Sequence, residues 1–199
     1  MVMLEENVMY YRPYNILFIC TSNSACSIFG ESLINFWGQR KFRGFSAGSQ
    51  PKGEVHPLTL QVLKHYNIST DGLRSKRWDE YAQLDAPKMD FVFTVCGKAD
   101  AESCPVWPDR PMSAHWEIED PAGTQGDDVT RMMAFRTAFR ELENRIKIFV
   151  SLLLHALDRL KLQKKFQVNG QIKLQIPRAP NYSTLQIRPT GPYSKSLIF

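Results

Sequence analysis

The chain has 199 residues, enough for one domain with a buried core and an added end. At 43% hydrophobic and 23% charged residues it reads as soluble and globular. The longest largely apolar stretch, Ile148 to Leu154, is too short to span a bilayer. The net charge of +5 sits at one end: residues 161–199 hold seven Lys or Arg and no acid, which leaves the first 160 residues at −2. No basic domain is present, so neither nucleic acid nor membrane is expected as a partner.

Met1 to Tyr14 carries Glu5 and Glu6 and lacks the apolar centre of a secretory leader, so a cytoplasmic protein is expected. Asn15 to Cys20 (NILFIC) is apolar without alternation, as in a strand buried on both faces. After the polar turn TSNSA, a helix is predicted from about Ser27 to Trp37, with Ile28, Leu33, Ile34 and Trp37 inward. Phe42 to Ala47 suits a second strand, Pro57 to Tyr66 a helix, and Ser75 to Leu84 a shorter helix. Asp90 to Val95 and Pro111 to Trp116 suit two further strands. From Asp127 to about Leu160, apolar residues recur at three- and four-residue steps, which predicts one long amphipathic helix.

Alternating strands and helices predict an α/β fold with a four-stranded parallel sheet flanked by helices. The expected organisation is an extension over 1–14, one domain over 15–162, and a basic tail over 163–199. Within the tail, Gln167 to Ile176 alternates around Asn169-Gly170, a hairpin-type turn, and the remainder is expected to be poorly ordered.

The four cysteines, Cys20, Cys26, Cys96 and Cys104, form no close pair of the zinc-binding kind. No metal and no cofactor are expected. In a reducing compartment, cysteines at loop positions suggest chemistry rather than stapling. Cys20 ends a predicted strand, where open α/β sheets bind their ligands. The small residues Thr21, Ser22, Asn23, Ser24, Ala25, Cys26 and Ser27 let the backbone curl into a nest of N–H groups ahead of a helix N-terminus. Such a nest holds a tetrahedral oxyanion and lowers the pKa of a thiol at its mouth, making Cys20 a nucleophile. An inert cysteine at the end of a buried strand fits the same residues equally well. Asn23 and Ser46 suit bracing positions, whereas His56, His65 and His155 read as ordinary core or surface histidines.

The stretch ILFICTSNSACSIFGESLIN, followed by SAGSQPKGEVHP, FVFTVC, CPVWP and AHWEIEDPAG, resembles the low-molecular-weight protein tyrosine phosphatase family and its thioredoxin- or glutaredoxin-coupled arsenate reductases. The likeness runs from about Asn15 to Leu160. It implies Cys20 as nucleophile, Asp120 as general acid on a loop supported by His115 and Trp116, and an arsenate or phosphate-type oxyanion bound by residues 21–27. It further implies that Cys96 attacks Cys20 and Cys104 attacks Cys96, the pair that separates reductase from phosphatase. Where the family has a loop arginine, this chain has Cys26, and the expected consequence is impaired catalysis. Three functions therefore compete: arsenate reductase, phosphatase, and a non-catalytic oxyanion- or partner-binding descendant.

Overall fold

A computed structural model describes residues 12–83, 85–96 and 110–168. The chain divides into two compact units, Met1–Leu157 and Asp158–Phe199. In chain order come β1 (Tyr14–Cys20), α1 (Cys26–Trp37), β2 (Phe42–Gly48), α2 (Pro57–His65), β3 (Phe91–Cys96), β4 (Met112–Ile118) and α3 (Asp128–Val168). Short 3₁₀ turns cover Trp78–Tyr81 and Pro121–Gly123.

The strands form one sheet in the order β2-β1-β3-β4, and every neighbouring pair is parallel. The chain leaves central β1 toward β2 and later returns to pair β3 on its other side. That reversal opens a crevice at the carboxyl end of β1, which is where Cys20 lies.

NILFIC is apolar after Asn15 because its two faces meet two different cores. Ile16, Phe18 and Cys20 pack with residues of α1, α2 and α3, while Leu17 and Ile19 pack with Phe45, Ala47, Met89 and Val92. Gly30 lets α1 lie tightly on β1, since a Cβ there would come within 2.4 Å of the Phe18 ring. The inward stripe of α3 is buried at Phe135, Ala138, Phe139, Leu142 and Ile146 as predicted and also at Val150, whereas Ala156, on the same predicted stripe, is exposed. Each of these buried side chains other than Ala138 contributes about 1.5–3 kcal/mol by leaving water.

The helix predicted at Ser75 to Leu84 is reduced to the 3₁₀ turn Trp78–Tyr81, and Leu84 lies outside the described residues. Gly48 makes an isolated parallel bridge with Arg77, and the Gly48 N–H donates to the Lys76 carbonyl at 2.9 Å. These backbone groups serve the sheet edge and are lost to a helical ladder. Trp78 and Tyr81 cover the second core as a strap, with Tyr81 5.5 Å from the Phe45 ring. Gln167 and Val168, assigned to a hairpin by alternation, are the last residues of α3. The rest of that hairpin and the tail lie outside the described residues. Among the described residues no helix is long and apolar enough to cross a membrane.

Candidate active site at the carboxyl end of β1

The Cys20 loop is shaped from outside. The carbonyls of Cys20, Thr21 and Ser22 accept from the N–H groups of Ser49, Gln50 and Lys52, and the Ser24 carbonyl accepts from His56 N–H and the Thr59 hydroxyl. In a trans peptide the C=O and the following N–H point oppositely, so carbonyls drawn outward turn the next N–H groups inward. The Asn23 N–H shows the result, donating to Cys20 Sγ at 3.1 Å. Asn23 adopts φ 44, a left-handed conformation that asparagine tolerates. Gly48 is required beneath it, because a Cβ there would lie 2.5 Å from the Thr21 carbonyl oxygen.

Behind the loop lies a buried polar chain. The Asn23 amide nitrogen donates to Ser27 Oγ (2.8 Å) and Ser46 Oγ (2.9 Å), and its oxygen accepts from the Lys76 N–H (2.7 Å), which fixes the amide orientation. With Ser27 Oγ already accepting from Asn23, its hydroxyl hydrogen is available to Cys20 Sγ, 3.0 Å away. Ser46 Oγ accepts from Lys76 Nζ (3.2 Å) and donates to Glu31, and Lys76 Nζ lies 3.1 Å from Glu31 Oε2. The Lys76 and Glu31 side chains are 4% and 14% exposed. Cys20 is thus supported through Ser27 and Asn23 by a buried ion pair.

Two outcomes follow for this chain of bonds. Asn23→Ala removes three buried hydrogen bonds and the left-handed tolerance, and is expected to cost ~3 kcal/mol in urea unfolding. Lys76→Met leaves the Glu31 carboxylate buried without its cation, and a loss of about 3–5 kcal/mol is expected. The double change Glu31→Gln, Lys76→Met should recover much of that loss, and failure to do so would remove the ion pair from the account.

Cys20 is the last residue of β1 and only 4% exposed. It opens, with Thr21, Ser22, Cys26 and Asp120, onto a hollow of about 970 Å³. Asp120 caps the 3₁₀ turn that follows β4, its Oδ1 accepting from the Ala122 N–H at 3.1 Å. Cys26 starts α1 and is buried, with its thiol 3.9 Å from the Glu119 carbonyl oxygen. Cys96, expected on a loop, is the last residue of β3, while Cys104 lies outside the described residues. The ladder of β1 with β3 runs from Ile16↔Phe91 to Ile19↔Thr94, so Cys20 and Cys96 end adjacent strands at the same sheet edge.

Near the Asp120 turn, His115 Nδ1 meets Thr94 Oγ1 at 2.7 Å, and the Trp116 ring stacks on Phe93 at 4.1 Å. His56 has a larger part than an ordinary surface histidine: it caps α2 by accepting from the Leu58 N–H, and its ring lies 4.6 Å from Phe135. Burial, with the nearby Arg131 and Lys52, lowers its pKa, which keeps Nδ1 as an acceptor at neutral pH. Sequence reading passed over Glu31, Lys52, Lys76, Glu141 and Arg145. Only Glu31 left a signal there, one helical turn after Ser27 on the same face of α1. Among the described residues no cluster of His, Cys, Asp or Glu could hold a metal.

Residues 15–165 match the low molecular weight phosphotyrosine protein phosphatase family, and the chain belongs to that family of enzymes. It is 34% identical over 139 residues to an arsenate reductase of Halalkalibacterium halodurans, covering 67% of this chain and 93% of the relative. It is 31% identical over 134 residues to an arsenate reductase of Bacillus subtilis, again covering 67% and 93%. The crystal structure of an arsenate reductase from Archaeoglobus fulgidus superposes with a TM-score of 0.55 at 28% identity, covering 68% of this chain and 98% of that one.

Proposed function

We propose that the chain is an arsenate reductase working through Cys20, Cys96 and Cys104. The observation that carries this reading is the ending of β1 and β3 in cysteines at one sheet edge, beside a hollow shared by Cys20 and Asp120. Neighbouring strands lie about 4.8 Å apart, and Cys96 stands one residue beyond the position level with Cys20, so a disulfide between them asks for a rearrangement at the end of β3. The relatives named as arsenate reductases support the choice of substrate.

The Cys20 thiolate attacks arsenic, a sulfur–arsenic bond forms, and an oxygen leaves as water with a proton from Asp120. The Cys96 thiolate then attacks Cys20 Sγ. A disulfide forms, the sulfur–arsenic bond breaks, and its electron pair stays on arsenic, which departs as arsenite. Cys104 attacks Cys96 and releases the Cys20 thiolate. The resulting Cys96–Cys104 disulfide is returned to two thiols by a dithiol protein of the thioredoxin or glutaredoxin class.

A phosphatase needs only Cys20, the nest and Asp120, and the shared hollow favours that second reading as far as it goes. The assay that separates the two supplies arsenate and a dithiol reductant in one arm and an aryl phosphate in the other. Steady arsenite release is expected in the first arm. Rapid ester hydrolysis without arsenite release would establish the phosphatase instead. Silence in both arms would leave a binding protein.

A further inference from the structure

Cys26 deprives the loop of a guanidinium, yet the hollow contains one from elsewhere. Its lining includes Arg145 of α3, together with the loop residues Cys20 and Thr21.

The height of Arg145 relative to the sheet follows from ring contacts. The Phe149 ring lies 5.2 Å from both Phe91 and Phe93 and 6.2 Å from Trp116. Phe93 pairs with Phe18 in the β1–β3 ladder, two residues before Cys20. Earlier on α3, Phe135 meets His56, which donates its N–H to the loop carbonyl of Ser24. The helix therefore descends from the loop edge toward the middle of the sheet. Arg145, four residues before Phe149, stands ~6 Å nearer the loop edge. Phe149 lies between the levels of Phe91 and Phe93, and Cys20 stands about three strand residues, ~10 Å, beyond that midpoint in the same direction. Arg145 thus stands toward the loop edge, within ~4 Å of the level of Cys20, and both line the hollow.

The position is firmly held. Leu142 and Ile146, on either side of Arg145, are fully buried, and Nη2 of Arg145 donates to Glu141 Oε1 at 2.6 Å. That bond occupies one of the five guanidinium N–H groups and leaves the fork geometry for an oxyanion. Charge argues in the same direction. The lining holds two cations, Lys52 and Arg145, against the carboxyls of Glu117, Glu119, Asp120 and Glu141. A dianion is repelled from such a hollow except where a cation meets it directly. Lys52 is an exposed point charge, whereas Arg145 is half-buried and preorganised.

We propose that Arg145 is the oxyanion-binding guanidinium of this site, meeting the outer oxygens from the α3 wall while the loop N–H groups hold the inner ones. This rests on the oxyanion reading above and adds a substrate-binding residue that the loop sequence does not supply.

The test uses the full chain and inorganic phosphate, read as protection of Cys20 from alkylation by iodoacetamide. Phosphate is expected to protect the native chain. Arg145→Met, which keeps the aliphatic stem, should weaken that protection ~10²-fold with an unchanged thermal midpoint. Arg145→Lys should recover only part of it, and Lys52→Met should change it less than threefold. Adding Cys26→Arg to Arg145→Met should restore protection, since either guanidinium then serves the same oxygens. Equal protection of the native chain and Arg145→Met, or a larger loss in Lys52→Met, would overturn the assignment and leave the oxyanion site standing. No protection of the native chain would overturn both.

Discussion

Cys20→Ser is expected to cut arsenite production by ~10⁴–10⁶-fold while leaving the fold and phosphate binding intact. The sulfur is the point on which the loop converges: it accepts from the Asn23 N–H and lies 3.0 Å from the Ser27 hydroxyl. Such donors favour the charged form of a sulfur over its neutral form, whereas a serine hydroxyl in the same place is a far weaker acid. A serine ester of arsenate is also a dead end, because the electrons that reduce arsenic come from attack on a sulfur atom. Retained phosphate binding is the control, since the nest N–H groups are backbone groups held by Ser49, Gln50, Lys52 and His56. Melting curves and the aryl phosphate assay complete the check. Turnover within tenfold of the native value would remove Cys20 from the centre of the mechanism.

The parts of this fold that depend on local pattern were legible before any coordinates. NILFIC announces a doubly buried strand because no position in it is polar after Asn15, and the core stripe of α3 announces itself by period. The parts that depend on tertiary partnership were not. Trp78 and Tyr81 have helix-like spacing, but Asn23 and Gly48 claim the backbone of Lys76, and the segment becomes a strap. Lys76 looks like an ordinary solvated lysine until the fold brings it to Glu31, 45 residues away. Arg145 and Glu141 read as a surface pair one turn apart on a helix, a pattern that carries no hint of a hollow on one side. Cys26 was legible as a departure from the family loop, whereas Arg145 joins the lining of the hollow only once α3 has packed on the sheet.

Changing Cys96 or Cys104 to Ser should separate the two chemistries open to this family. Arsenite production under continuous turnover is expected to fall at least ~10³-fold in each, because no disulfide can be passed on once Cys20 is occupied. Aryl phosphate hydrolysis, which uses neither thiol, should stay within about twofold of the native rate. Cys96→Ser halts with arsenic still bound to Cys20. Cys104→Ser halts one step later, with arsenite released once and Cys20 joined to Cys96. The register places Cys96 opposite Ile118 of β4, next to an irregularity between Thr94 and Cys96. An irregular strand end of this kind can accommodate the shift that the attack on Cys20 demands. Equal loss of both activities in either variant would instead mark the cysteine as structural.

Mass spectrometry of the native chain after one equivalent of arsenate, with no reductant present, tests the central claim most directly. The account predicts one arsenite per chain, a Cys96–Cys104 disulfide, and Cys20 recovered as a thiol. Arsenite release with Cys96 and Cys104 both still reduced, or no arsenite with every thiol unchanged, would contradict it.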